Sequence, residues 1–283
     1  MRRLLLIAIA TFIAVLIGCT PSDPAPIQKL TMGVVSYDTG ARSMEQYQPF
    51  KDYLAAQTRT IIELEPAYNE LQALEQIRRR SWSLVFAPPG LAAIAIQDAQ
   101  YLPMFPLQGA NNARSVLLVK NDSPLEKLDD LAGNVLALGE PGSATGYYLP
   151  LYDLYGLTLE AVRFAPTPKT VLQWVQSGEV DAGAVAEEDF LKYRNEFGAN
   201  FFRVLHSSRA IPRGSVLIGP SVDRNQQRLI DEAMRNAPSN IIADAGYIPN
   251  APVPVYDEVI RLIDRVRPLD ERVRQSPAVL TTE

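Results

Sequence analysis

The sequence predicts an α/β protein with mostly parallel sheets, and three observations predict it. Short β-type runs recur with helical patterns between them, an alternation that generates βαβ units whose sheets are covered on both faces. The alternation comes in two successive sets, divided near Asn121. Hydrophobic residues make up 47% of the 283 residues, enough to build sizeable cores in a chain of this length.

Before the first strand the chain carries Arg2 and Arg3, an apolar run from Leu4 to Ile17, then Gly18 and Cys19. This is the layout of a secretory signal peptide, and its run of about 14 residues falls short of the ~20 that a spanning helix needs. The segment Leu16-Ile17-Gly18-Cys19 resembles a bacterial lipobox, which implies cleavage before Cys19 and a diacylglycerol thioether on its sulfur. Residues 1–18 are then signal peptide, and 19–28 a lipidated cysteine and tether, since Pro21, Pro24 and Pro26 stand among small polar residues. Cys19 is the only cysteine, so an internal disulfide and a cysteine-based zinc site are both excluded.

In the first set, Thr31 to Val35, Thr60 to Leu64, Ser83 to Ala87, Tyr101 to Phe105 and Ser115 to Val119 read as strands. Tyr47, Phe50 and Leu54, then Leu71, Leu74 and Ile77, recur between them at helical spacing. The second set opens at Ser123-Pro124-Leu125-Glu126, a capping serine with proline next and glutamate third, and Gly133 supplies the stop. Strands follow at Asn134 to Leu138, Val162 to Ala165 and Val180 to Val185, with a helix opened by Thr167-Pro168 and closed by Gly178. Phe202 to Leu205 and Ser215 to Ile218 lead into amphipathic helices around Asn225 to Met234 and Tyr256 to Val266.

Periodicity alone fits either one continuous sheet or two lobes. The C-terminal helices have no strands of their own, and if they return to the first set the chain crosses twice, near Arg114 to Asn121 and near Phe202 to Gly219. That is the layout of a hinged binding protein with its ligand cleft between lobes. The expected boundaries are 29–114 plus 216–283 for lobe 1 and 115–215 for lobe 2.

Composition narrows the function. A net charge of −5 argues against a nucleic-acid partner. His206 is the only histidine, which rules out a histidine-rich metal site, and it reads as an edge-strand residue near a hinge. There is no Gly-Lys pair for a Walker A loop and no Gly-x-Gly dinucleotide fingerprint. No nucleophile, base and orienter recur at a recognisable spacing, so neither an enzyme nor a cofactor is expected.

The most informative stretch runs from Gly139 to Pro150, just after a predicted strand. Pro150 is tolerated only within a first helical turn, so Ser143 to Gly146 should lie at a helix N-terminus. Such a terminus offers unpaired N–H groups and roughly half a positive charge, to which the Ser143 and Thr145 hydroxyls add donors. A tetrahedral oxyanion can be held there without lysine; a plain N-capping loop satisfies the same pattern.

This segment resembles the Ser-Thr-Ser-Gly loop of the phosphonate- and phosphite-binding periplasmic proteins. Other marks follow in chain order. Pro66-Ala67-Tyr68 is similar to that family's Pro-Asp-Tyr turn, Ser83 to Phe86 to the strand before its pocket, and Arg114 to Val119 to its first crossing strand. Ser123-Pro124 to Asp130-Leu131 is similar to the helix after the crossing, and Ser177 to Gly183 to its Val-Asp-Ala strand. The resemblance implies a type II periplasmic-binding fold: two α/β lobes, two crossing strands and a cleft. It also implies capture of a phosphorus oxyanion (phosphonate, phosphite or phosphate) for an ABC permease, by a monomeric lipoprotein. Its place would be the outer side of the cytoplasmic membrane or the periplasm. A different small ligand, or a ligand-sensing partner of a membrane signalling protein, is the alternative.

Carried over residue by residue, Ser143, Thr145 and the Gly146 amide become oxyanion donors, and Tyr68 a hydroxyl donor from the opposite lobe. Ala144 stands where the family has threonine, Ala87 where it has a pocket tyrosine, Pro168 where it has histidine, and Gly214 where it has an acid. Arg42, Arg114 and Lys169 are candidate replacement donors, a guanidinium fork suiting an oxyanion better than an ammonium. Glu188 falls near the acid that meets the amine of an aminophosphonate. Phe86 and Trp174 are expected to be packing residues, and Arg78-Arg79-Arg80 a helix end facing water.

Overall fold

The structure, a computed structural model, describes residues 28–35, 44–109, 112–198 and 200–281. The expected signal peptide, Cys19, the expected tether up to residue 27, and Arg42 lie outside the described residues.

The first lobe begins with β1 (Lys29–Val35), α1 (Gln48–Thr58), β2 (Ile61–Ala67), α2 (Glu70–Arg78), β3 (Leu84–Ala87), α3 (Pro89–Ala99) and β4 (Leu102–Pro106). Phe50, Leu54 and Thr58 put the buried stripe of α1 at four-residue spacing. The Asn69 side chain accepts the Gln72 amide and starts α2. Helix α3 opens on Pro89, whose missing N–H costs nothing in a first turn, and is buried nearly all round.

The chain then crosses through β5 (Asn112–Ala113) into the second lobe. There it forms β6 (Ser115–Lys120), β7 (Val135–Leu138), a π-helical turn (Ala144–Tyr148) continuing as α4 (Leu149–Asp153), β8 (Thr158–Leu159) and β9 (Ala161–Phe164). The lobe is completed by α5 (Pro168–Ser177), β10 (Ala182–Ala186), α6 (Glu187–Tyr193) and β11 (Phe202–Ser207). It returns through β12 (Ile211–Pro212) to β13 (Ser215–Ile218), followed by α7 (Arg224–Arg235), α8 (Ser239–Ala245), α9 (Asp257–Val266) and β14 (Ala278–Val279).

Two five-stranded sheets result, ordered β2-β1-β3-β13-β4 and β11-β6-β10-β7-β9, while the crossings β5 and β12 pair with each other as a two-stranded ribbon. In each sheet the strand entered from a crossing, β13 or β6, runs against its neighbours. The reason is geometric: the parallel strands end at the gap between lobes, and a chain entering from that gap must run the opposite way. Side-chain alternation then supplies cores on both faces. Leu84 and Phe86 of β3 join a cluster under α1, α7 and α8, and Val85 and Ala87 join a second cluster that continues through α3, α4 and α9 into the other lobe. Phe86 is buried and Trp174 packs against the third cluster, both as expected. His206 lies on the edge strand β11, paired with Asp153 at 2.9 Å.

Three expectations are corrected. The first crossing is Asn112–Ala113, whereas Ser115–Lys120 lies inside the second sheet. The helix expected from Ser123 to Gly133 is a single 3-10 turn, Leu128–Leu131, because the Asp130 carboxylate takes the Glu126 and Lys127 amides and fixes a turn there. The C-terminal segment stays with lobe 1 only through α8: α9 packs against both α3 and the π-helical turn, and β14 pairs with β8 beside the second sheet.

Candidate functional site

A cavity of about 420 Å³ lies between the lobes. Strand ends feed it: β2 leads to Glu70, β3 to Pro88 and Pro89, β4 to Leu107, β7 to Gly139, β9 to Pro166 and Pro168, and β10 to Glu187 and Glu188. Ligand sites in parallel α/β sheets form at such carboxyl ends, because the helices that follow point their N-termini there. Five helix starts meet at this cavity: α3 behind Pro88, the π-helical turn behind Ser143 and α5 behind Thr167 carry no acid in their first turn, whereas α2 brings Glu70 and α6 brings Glu187, Glu188 and Asp189.

The loop is held by its own hydrogen bonds. The Gly146 N–H donates to Ser143 Oγ at 3.0 Å, the Gly139 N–H to the Gly146 carbonyl at 2.8 Å, and the Tyr147 and Tyr148 amides to the Ser143 carbonyl. Gly142 adopts φ +112, a left-handed conformation that side chains resist. The Leu149 N–H donates to the Ala144 carbonyl, a wider turn than an α-helix makes. Pro150 then falls inside the first turn of α4, where its missing N–H is harmless.

Ser143, Ala144, Thr145, Gly146, Arg114 and Glu188 all line the cavity. The Gly146 amide is taken up by Ser143 Oγ, so Gly146 N–H is not the free donor expected of it, while the Ser143 hydroxyl, an acceptor in that bond, keeps its own O–H to donate. The Ala144 and Thr145 amides, at the start of the turn, have no acceptor within it. Among the described residues the Thr145 hydroxyl has no protein partner. Arg114 ties the crossings together: its Nη1 donates to the Ser208 carbonyl at 2.8 Å, and its own carbonyl accepts the Glu187 amide at 3.0 Å. The Glu188 carboxylate reaches across to within 3.4 Å of where a Gly109 side chain would begin.

Tyr68 and Ala87 do not line the cavity. Tyr68 is 42% exposed, and the cavity wall is taken two residues later by Glu70, because α2 starts against the 142 turn. Ala87 is buried as the last residue of β3, and the wall begins at Pro88. Lys169 pairs with Glu196 outside the lining. Arg213 is a lining residue the sequence reading passed over, its Nη1 donating to the Leu107 carbonyl at 3.0 Å. Its position between Pro212 and Gly214, at the second crossing, was the available signal.

The lobes touch directly at this loop. A side chain on Gly90, in the first turn of α3, would begin 2.2 Å from the Gly142 carbonyl oxygen and 2.5 Å from the Ala144 nitrogen. Behind the turn, the Tyr147 hydroxyl donates to Asp270 Oδ1 at 2.7 Å. Burial pushes the Asp270 carboxyl up, partly opposed by the Tyr147 hydrogen bond and by Arg267, Arg274 and Arg78. Burial also pushes the Tyr148 hydroxyl up to about 12. The arginine triplet ends its helix facing water, as expected.

Glu140, beside this network, has a buried Oε2 without a partner among the described residues, and burial raises its carboxyl above the ordinary value near 4.5. A raised carboxyl binds its proton more readily in the folded state, so its contribution to stability is lost as pH rises from about that value through the raised one. Glu140→Gln is therefore expected to raise the melting temperature at pH 7 and to flatten its fall with rising pH above 4.5. An unchanged melting curve across that range would refute the assignment.

Two α/β lobes, paired crossings and a cavity fed by strand ends define a type II periplasmic-binding protein. The chain belongs to the family described as ABC transporter, phosphonate, periplasmic substrate-binding protein, whose model matches residues 32–248. The fold is similar to XAC2383 from Xanthomonas citri bound to ATP, with a TM-score of 0.70 and 22% identity over 85% of this chain and 98% of that one. It is also similar to a binding protein component of an ABC phosphonate transporter from Pseudomonas aeruginosa (TM-score 0.69, 16% identity, 87% and 88% covered). A third similar structure is PhnD1 from Prochlorococcus marinus in complex with methylphosphonate (0.68, 16%, 85% and 98%). No curated protein matches the sequence. Among the described residues no helix is long and apolar enough to cross a membrane.

Proposed function

We propose that this protein captures a small phosphorus oxyanion, such as phosphonate, phosphite or phosphate, in the interlobe cavity and presents it to an ABC permease as a monomer anchored through lipidated Cys19. Its place is the outer face of the cytoplasmic membrane or the periplasm. The observation that carries this reading is the convergence on one cavity of three helix N-termini whose first turns carry no acid, with the Thr145 hydroxyl unpartnered among the described residues. Each terminus presents unpaired amides and roughly half a unit of positive charge. Arg114 and Arg213 add guanidinium groups at the two crossings. Two structurally similar proteins hold methylphosphonate and ATP, which share a phosphorus oxyanion.

Capture works through closure. Loop 143–146 binds from lobe 2, and α3 approaches from lobe 1 at Gly90. A ligand that touches both lobes favours the closed arrangement by its differential affinity for it. Thr145→Ala is expected to weaken methylphosphonate binding by about 1 kcal/mol or more without loss of stability, read by calorimetric titration and thermal unfolding. Ser143→Ala is expected to cost about 1 kcal/mol of stability as well, because Ser143 also caps the turn. If the wild-type mature protein binds none of methylphosphonate, phosphite and phosphate, the oxyanion reading fails.

A further inference from the structure

The cavity is larger than a small inorganic or methyl-bearing oxyanion requires. Methylphosphonate fills on the order of 100 Å³, a few water-sized units, whereas the cavity measures about 420 Å³. Most of the rest is bounded by apolar groups. Pro88, Pro89 and Leu107 line it from lobe 1, Ala113 from the crossing, and Val171 and Leu191 from lobe 2. Leu191 is 55% exposed at this wall, an apolar side chain with little covering it.

Two of these apolar features are fixed by packing. A side chain on Gly214 would begin 2.3 Å from the Ala87 carbonyl oxygen and 3.0 Å from Leu107 Cδ1, so no polar group can reach the cavity from that position. Pro168 occupies the first position of α5, where its ring rather than a polar side chain meets the space. The remaining polar lining limits what else can enter. Beside the neutral Gln108, Asn112 and Thr167 it holds four carboxylates, Glu70, Glu187, Glu188 and Asp189, against two guanidinium groups, Arg114 and Arg213, a balance that disfavours a second phosphoryl group.

We propose that the ligand is a phosphonate or phosphate monoester carrying an uncharged, apolar substituent about the size of a six-membered ring, its head at loop 143–146 and its ring against the Pro88, Leu107, Ala113 and Leu191 wall. This rests on the oxyanion reading and deepens it. A ring placed there removes apolar surface from water on both partners, and that gain is absent for a methyl group.

The test is calorimetric titration of the mature protein with phenylphosphonate, methylphosphonate and inorganic phosphate. The expected result is that phenylphosphonate binds at least tenfold more tightly than methylphosphonate, a difference of about 1.4 kcal/mol. In Ala113→Phe, which fills the wall, and in Leu191→Ser, at an exposed position the fold tolerates, the ratio of the two affinities is expected to fall toward one. Equal affinities in the wild type, or a ratio that neither variant changes, overturn this inference and leave the oxyanion reading standing. Absence of binding by all three anions overturns both.

Discussion

Gly90→Val is expected to lower methylphosphonate affinity at least 100-fold, about 2.7 kcal/mol, the largest loss of any single substitution outside the loop itself. Even the first carbon of a side chain at Gly90 would lie 2.2 Å from the Gly142 carbonyl oxygen and 2.5 Å from the Ala144 nitrogen. Both are backbone atoms of the loop that lines the cavity, so no flexible side-chain end can yield. Either the loop shifts or the lobes part, and each outcome takes the Ala144 and Thr145 amides away from an anion that must also meet lobe 1. The strain adds about 1–3 kcal/mol of lost stability, typical of an overpacked contact. Titration calorimetry with thermal unfolding separates the two effects. Wild-type affinity in a folded Gly90→Val protein would show that closure at this contact plays no part in binding.

Trp82→Ala is expected to destabilise the protein by about 3–5 kcal/mol, the range for truncating a large buried aromatic side chain. The indole is fully buried, and a side chain on Gly33 of β1 would begin 2.0 Å from its Cδ2. Trp82 therefore lies where β1 has no side chain, and its carbonyl accepts the Tyr101 hydroxyl at 2.8 Å. From this support β3 runs to Pro88 and Pro89 at the cavity, so the packing residue sets where the first lobe's wall lies. The pairing makes a further test available. Gly33→Ala should be strongly destabilising alone and nearly neutral in a Trp82→Ala background, a coupling read from urea unfolding. Additive losses would mean that the indole and Gly33 do not share this space.

Much of the fold was legible because strand and helix periodicity is a local property. Ser215 to Ile218 is a strand to the residue, and the helices predicted around Asn225 to Met234 and Tyr256 to Val266 are Arg224–Arg235 and Asp257–Val266. The segment after Asn121 misled because Ser123, Pro124 and Glu126 carry a helix-start signature, yet the Asp130 carboxylate binds the Glu126 and Lys127 amides first. The helix start at 143–146 was legible through Pro150, whose backbone chemistry restricts the turn before it. Tyr68 and Ala87 were carried over from a resemblance at the right strand ends, but a strand end says only that the chain arrives at the cleft. Which of the next three side chains faces it depends on how α2 and α3 pack against the 142 turn. For Arg213 the flanking Pro212 and Gly214 were the one local signal, and they mark a turn without saying which way the guanidinium faces.

By itself the sequence determined the α/β class, the two sets of elements, the absence of catalytic and metal-binding motifs, and a helix start rich in hydroxyls and glycine at 143–146. All of these follow from the nearest few residues along the chain. Only the tertiary structure decided that the C-terminal segment joins both lobes, that Gly90 closes on the loop, and that Arg213 and Glu70 line the cavity. Those depend on contacts between residues far apart in sequence, where the space left by one backbone sets what another can bring to the ligand.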